Sequence, residues 1–243
     1  MIGLPSIMIL LQIQPEVLIW RYLVIYGAFG TTSVIMLLLA VLTLRKDPKY
    51  LANITLAAAF GMIFLAMALN VVASIFVGRQ PPFLFLYKLM YLFSTASLVF
   101  IMETLLIIYK GPKFAIQKKH MSIPIVMLGG CFLIPLCELS EFVPGRPLVV
   151  WTPSFTTAVL SLNIIYFSSV LFVSFKLLSR LGHSVKRRFS RFLQGIILLG
   201  SAYFLLIMSM IRIVPFVFGA AVFIMIILGG LFMYRGIIRH STE

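Results

Sequence analysis

The sequence predicts an all-α, polytopic integral membrane protein: a bundle of seven transmembrane helices with its N-terminus outside and its C-terminus in the cytoplasm. Three observations carry that expectation. Hydrophobic residues fill 62% of the 243 positions and charged ones only 11%, far from the roughly half apolar, quarter charged balance of a soluble domain. The apolar residues fall into seven runs, each near the ~20 residues that cross a bilayer. Basic residues crowd every second connection between those runs.

Taken in order, residues 1–16 are apolar but too short to cross, and Pro5, Gln12, Gln14 and Pro15 interrupt them. They lack a basic segment ahead of the apolar stretch, so an interfacial or re-entrant arm is expected rather than a cleaved signal. Residues 17–239 hold the seven-helix domain, and 240–243 a short cytoplasmic tail. The runs are Val17 to Leu44, Tyr50 to Val77, Phe83 to Lys110, His120 to Glu138, Trp151 to Arg180, Lys186 to Met210 and Ile213 to Arg235. Helices are required because in hydrocarbon each backbone group must bond within its own segment, and no alternating barrel-strand pattern is present. Asp47-Pro48, Pro81-Pro82 and Val143-Pro144-Gly145 punctuate three breaks; charge makes those at Lys110 to Lys119 and Arg180 to Arg191; and Arg212 and Pro215 mark the last.

Orientation follows from lysine and arginine. Arg45, Lys46 and Lys49 follow the first run, and Lys110, Lys113, Lys118 and Lys119 the third. Lys176, Arg180, Lys186, Arg187, Arg188 and Arg191 surround the connection after the fifth, and Arg235 and Arg239 end the seventh. Only Arg21, Arg79, Lys88, Arg146 and Arg212 belong to the other side, together with Glu16, Glu138 and Glu141. The crowded side is therefore cytoplasmic. The net charge of +14 is thus spent on span ends, where Arg45, Lys46, Lys118, Lys119, Arg187 and Arg188 are expected to meet anionic inner-leaflet lipid; nucleic acid is not an expected partner. Trp20, Tyr22 and Trp151 at outer ends, and Tyr50, Tyr109 and Tyr234 at inner ones, read as interface anchors.

No catalytic or cofactor set is legible, so neither an enzyme nor a cofactor or metal is expected. The last run has no lysine for a retinal Schiff base; His120, His183 and His240 sit at the cytoplasmic edge, not within spans; and Cys131 and Cys137 are too few for an iron–sulfur cluster and too far apart along one helix to pair. No glycine-rich phosphate loop or nucleophile elbow appears. Intramembrane polar residues remain. Glu103 lies about 10 Å from Lys110 along a regular helix, with Asn53, Ser168, Gln194 and a snorkelling Arg191 at comparable depth, and it reads either as a functional group or as a helix-locking carboxyl. Asn70 and Asn163 read as interhelical glue or cavity-facing groups. Ala57 with Gly61, Gly129-Gly130 and Gly229-Gly230 invite close helix packing. Arg21, Arg79, Lys88, Glu138, Glu141 and Arg146 form an outer rim, either an ordinary solvated edge or the mouth of a ligand site.

The third run opens Tyr87-Lys88-Leu89-Met90-Tyr91 and closes Tyr109-Lys110-Gly111, a long basic connection follows the fifth, and the last closes Phe232-Met233-Tyr234-Arg235. In layout and texture this resembles the seven-helix membrane region at the N-terminus of certain archaeal and bacterial sensor histidine kinases, over residues 17–239. In that family the last span feeds a kinase module, whereas here the chain ends at Glu243, so the resemblance implies a stand-alone sensor-like bundle acting through another protein. The expected function is a non-enzymatic, sensor- or receptor-like or accessory protein of the cell membrane, working with a membrane or cytoplasmic partner or as a homo-oligomer. The alternatives are a structural subunit of a larger membrane complex and, third, a transporter or channel using Glu103.

Overall fold

Backbone hydrogen bonding is satisfied within helices throughout the regular segments of the computed structural model, which describes residues 15–75, 80–115, 117–138, 151–210 and 219–237. The described helices are α1 (Pro15–Lys46), α2 (Leu51–Ile75), α3 (Gln80–Lys110), α4 (Pro112–Ala115), α5 (Lys118–Cys131), α6 (Leu133–Leu136), α7 (Pro153–Leu178), α8 (His183–Met210) and α9 (Gly219–Ile237). Five stretches are long and apolar enough to cross a membrane: Gly27–Lys46, Leu51–Ala73, Pro82–Lys110, Pro153–Leu178 and Val185–Met208. Shorter apolar helices run His120–Leu136 and Ala221–Gly236. The chain is a helical, multi-pass membrane bundle. Of the expected N-terminal arm, residues 1–14 lie outside the described residues, as do 238–243 of the C-terminal end.

The helix ends follow from local chemistry. After α1, Asp47 turns the chain: its carboxylate accepts from the Lys49 amide at 3.1 Å, and its carbonyl accepts from the Asn53 side-chain amide at 3.3 Å. Beside it the Tyr50 phenol is held above its ordinary pKa, first by burial and then by the negative charge of Asp47, so it stays neutral. At the end of α3, Gly111 takes a left-handed φ of 89° and its amide donates to the Ile107 carbonyl at 2.8 Å. That is a glycine C-cap, and Pro112 then forbids continuation. Thr152 caps α7 by accepting from the Phe155 amide at 3.1 Å, with Pro153 in the first helical position. The Thr152 hydroxyl also donates to the Glu138 carbonyl, tying the end of the α6 segment to the start of α7.

The fourth apolar run is broken where a single helix was expected. Pro135 has no amide to give, and its ring crowds the carbonyl four residues back, at Cys131, so the helix stops there and resumes as α6. Pro124 lies inside α5 as well. The pieces are held from outside by the Tyr166 hydroxyl, which donates to the Met127 carbonyl at 2.6 Å, and by the Lys88 ammonium, which donates to the Pro135 carbonyl at 3.1 Å.

The other helices close a ring. α1, α2 and α3 lie side by side, α7 packs on α3, α8 joins α7 to α9, and α9 returns to α1. Phe29 and Phe223 meet edge to face at 4.5 Å across that last seam. α3 sits innermost, with 67% of its apolar stretch buried against 28% for α7, which therefore turns most of its surface outward to lipid. α8 and α9 touch backbone to backbone. A Cβ on Gly195 would stand 2.5 Å from the Gly229 carbonyl oxygen, and one on Gly236 would stand 2.7 Å from the Phe192 amide nitrogen. Gly230 leaves room for Met36 of α1, whereas Gly61 and Gly129, both read as packing glycines, have open space around them.

The turns put the described basic helix ends together. Thr55, early in α2, hydrogen-bonds Thr104, late in α3, at 2.9 Å, so the Asp47 turn and Lys110 share one end of the bundle. The Arg180 guanidinium over the Tyr109 ring adds the end of α7, and the Gly236 contact with Phe192 adds the adjoining ends of α8 and α9. Arg45, Lys46, Lys110, Lys176, Arg180, Arg187, Arg188 and Arg235 thus crowd one end, and Lys88 sits at the other.

Candidate functional site

The most polar part of the interior lies in the middle of α3. Ser94, Thr95 and Ser97 are all buried there, and Asn163 of α7 is buried completely against them. A serine or threonine in an apolar helix satisfies itself by donating back one turn, as Ser97 does to the Ser94 carbonyl at 2.6 Å. Asn163 has more to satisfy. Its amide nitrogen donates to the Thr95 hydroxyl at 3.1 Å and to the Val159 carbonyl at 2.7 Å, pinning α7 to α3. Its Oδ1 is buried with no partner among the described residues.

Tyr203 of α8 completes the cluster. Its hydroxyl lies within reach of Ser94, Thr95 and Asn163, but makes no well-aligned hydrogen bond among the described residues. Beside it is a void of about 20 Å³, bordered by Ile63, Met67, Ser94, Asn163, Phe167 and Tyr203. The void is about the size of one water, and Ser94, Ser97, Asn163 and Tyr203 contribute to its wall. The arrangement is a loosely packed seam with an acceptor and a hydroxyl both left unfilled.

Toward the Lys88 end the seam is covered by aromatic rings. Tyr91 stands edge-on to Trp151 at 4.9 Å and to Phe155 at 5.7 Å, and Trp151 meets Phe155 at 5.1 Å. The Tyr87 and Tyr91 hydroxyls are 3.3 Å apart. Such edge-to-face pairs add about 0.5–1.5 kcal/mol each beyond burial. Trp151, expected as an interface anchor, is instead buried in this cover.

No family model, curated protein or solved structure matches this chain.

Of the polar residues singled out from sequence, Asn163 is in the seam and the others are elsewhere. Asn53 serves the Asp47 turn, Asn70 is half-buried on α2, and Gln194 is exposed on α8. Glu103 is half-buried near the basic end of α3 and forms no hydrogen bond or ion pair with a described residue; Ser168, Gln194 and Arg191 all face outward instead. Glu103→Gln is accordingly expected to hold or raise the thermal midpoint in detergent, because it removes an ionisable group that has no partner to lose. A clear fall reveals a carboxylate partner. On the rim, Lys88 is spent on the Pro135 carbonyl, and the Glu138 side chain is exposed. Arg79, Glu141 and Arg146 lie outside the described residues. Arg21, Lys118 and Lys119 fall on described helix backbone, with side chains outside the described set.

Tyr203 was missed in sequence, although Ile196, Leu199, Tyr203 and Ile207 share the buried face of α8. That spacing was a visible signal, as was the Ser94-Thr95 pair in an otherwise apolar helix.

Proposed function

We propose that this is a non-enzymatic, sensor- or receptor-like protein of the cell membrane that acts through a partner protein. In this reading it has seven spans, with α5–α6 and α9 supplying the two short crossings, an external N-terminus and a cytoplasmic C-terminus. The gathering of basic side chains at one bundle end supports the orientation, and the likeness in layout to the seven-helix region of sensor kinases supports the class. Arg45, Lys46, Lys118, Lys119, Arg187 and Arg188 would hold that end against anionic lipid, at about 1 kcal/mol each.

The single observation that carries the reading is the buried pair at the seam, Asn163 Oδ1 and the Tyr203 hydroxyl, neither of them with a well-aligned hydrogen bond among the described residues. A buried polar group without a partner costs several kcal/mol in hydrocarbon, so the arrangement is poised for change. A small shift of α8 against α3 and α7 that brings the Tyr203 O–H onto Asn163 Oδ1 satisfies both at once. Two helix arrangements of similar free energy are what a switch requires. α8 begins in the run His183 to Arg191, so the same shift is felt at the basic end, where a partner would read it.

Gentle solubilisation from native membranes with crosslinking tests the proposal. A partner protein is expected to remain bound; a monodisperse monomer without a crosslinked neighbour speaks against it. A second reading, a structural subunit of a larger complex, is favoured by the outward apolar face of α5 and α6, where Val126 is 72% and Leu136 78% exposed. Crosslinks concentrated on that flank support the subunit instead.

A further inference from the structure

At the basic end, two aromatic rings collect three basic side chains from three elements. The Lys110 ammonium stands 5.0 Å from the Tyr109 ring centre and 5.4 Å from that of Phe114. The Arg180 guanidinium lies 4.9 Å from the Tyr109 ring, and the His120 imidazole stacks on Phe114 at 3.6 Å. The backbone enforces this meeting. Left-handed Gly111 folds the chain so that Phe114 returns under Lys110, with the Phe114 amide on the Gly111 carbonyl at 3.2 Å, and Arg180 is set by its own amide bonded to Leu177 at 3.0 Å.

Neither Lys110 nor Arg180 has a carboxylate partner among the described residues. Contact with a ring face offsets part of the repulsion between two cations so placed, but supplies no counter-charge. Two cations so placed favour an anion beside them, and two features identify its chemistry. Tyrosines flanked by basic residues sit at headgroup depth in a bilayer, where the available anions are phosphates. Phe172 and Lys176 are one turn apart on α7, Arg180 follows just past its end, and Phe172 is 66% exposed one turn before Lys176, an apolar surface for an acyl chain that a free phosphate ion does not use.

We propose that Lys110, Arg180 and His120 form a binding site for the headgroup phosphate of an anionic phospholipid, with its chain laid along Phe172. The guanidinium fork takes two phosphate oxygens, and the ammonium takes a third. This site is separate from the α3–α7–α8 seam and does not depend on how the seam works.

The test is lipid retention by the purified full chain in detergent, read by native mass spectrometry and thermal midpoint. Phosphatidylglycerol, phosphatidylcholine and inorganic phosphate are added separately. Phosphatidylglycerol is expected to bind and raise the midpoint, while phosphatidylcholine and inorganic phosphate do neither. Lys110→Gln with Arg180→Gln is expected to weaken retention roughly tenfold or more. Lys110→Arg keeps it, which separates lost charge from lost folding, and the control pair Lys186→Gln with Arg235→Gln, exposed at the same end, keeps it as well. An equal loss in the control pair shows a diffuse basic belt and overturns the site. Equal stabilisation by inorganic phosphate overturns the lipid as its occupant.

Discussion

Gly195→Ala is expected to lower the thermal midpoint sharply, because its new methyl would lie 2.5 Å from the Gly229 carbonyl oxygen and 2.7 Å from the Met233 amide nitrogen. Both obstacles are backbone, which cannot swing aside as a side-chain tip does. α8 and α9 must move apart along their length, and the contact of Gly236 with Phe192 is drawn open with them. Overpacking of this kind costs about 1–3 kcal/mol for a methyl, and more for Gly195→Val. Gly61→Ala is the matched control: nothing lies within 4 Å of its added carbon, and helix propensity favours alanine by up to about 1 kcal/mol. Unfolding of the two variants side by side in one detergent measures the difference. Equal midpoints would mean that α8 and α9 are not in backbone contact.

Tyr203→Phe is expected to act in the opposite direction and raise the midpoint. The hydroxyl it removes is buried without a well-aligned hydrogen bond among the described residues, and releasing such a group is worth about 1–3 kcal/mol. Thr95→Val should lower it, since the Asn163 amide loses its 3.1 Å acceptor, at about 0.6 kcal/mol for an interhelical bond in a membrane. Opposite signs from two substitutions in one cluster are the signature of a seam built partly unsatisfied. If Tyr203→Phe destabilises, the hydroxyl has found a partner and the switch reading loses its basis. A more stable variant that no longer signals is the outcome the switch reading expects, since stability and response are then opposed.

The parts of the architecture legible in sequence were those set by local composition. Apolar runs marked the helices, and Asp47-Pro48 and the charged stretch from Lys110 to Lys119 marked real turns. The break at Phe132 was harder to see, because Pro135 exerts its effect on the carbonyl one turn earlier, inside a run that stays apolar. The site was legible only in part. Asn163 stood out as an amide in a span, but its contacts, Thr95 and Tyr203, come from helices far apart in the chain, and no local pattern states which faces will meet. The same holds for the glycines. Gly229 and Gly230 drew notice as a pair, while Gly195, which faces Gly229, is an isolated glycine whose meaning exists only once α9 is laid beside it.

The seam between α9 and α1 has a consequence for biogenesis. Phe29 and Met36 have their neighbours in Phe223 and Gly230, near the opposite end of the polypeptide. During synthesis α1 must therefore enter the lipid with one flank bare and wait there until α9 has been translated. An insertase or a membrane chaperone has a natural substrate in that waiting flank, and a ribosome stalled before Gly219 releases a product whose ring has no closing member.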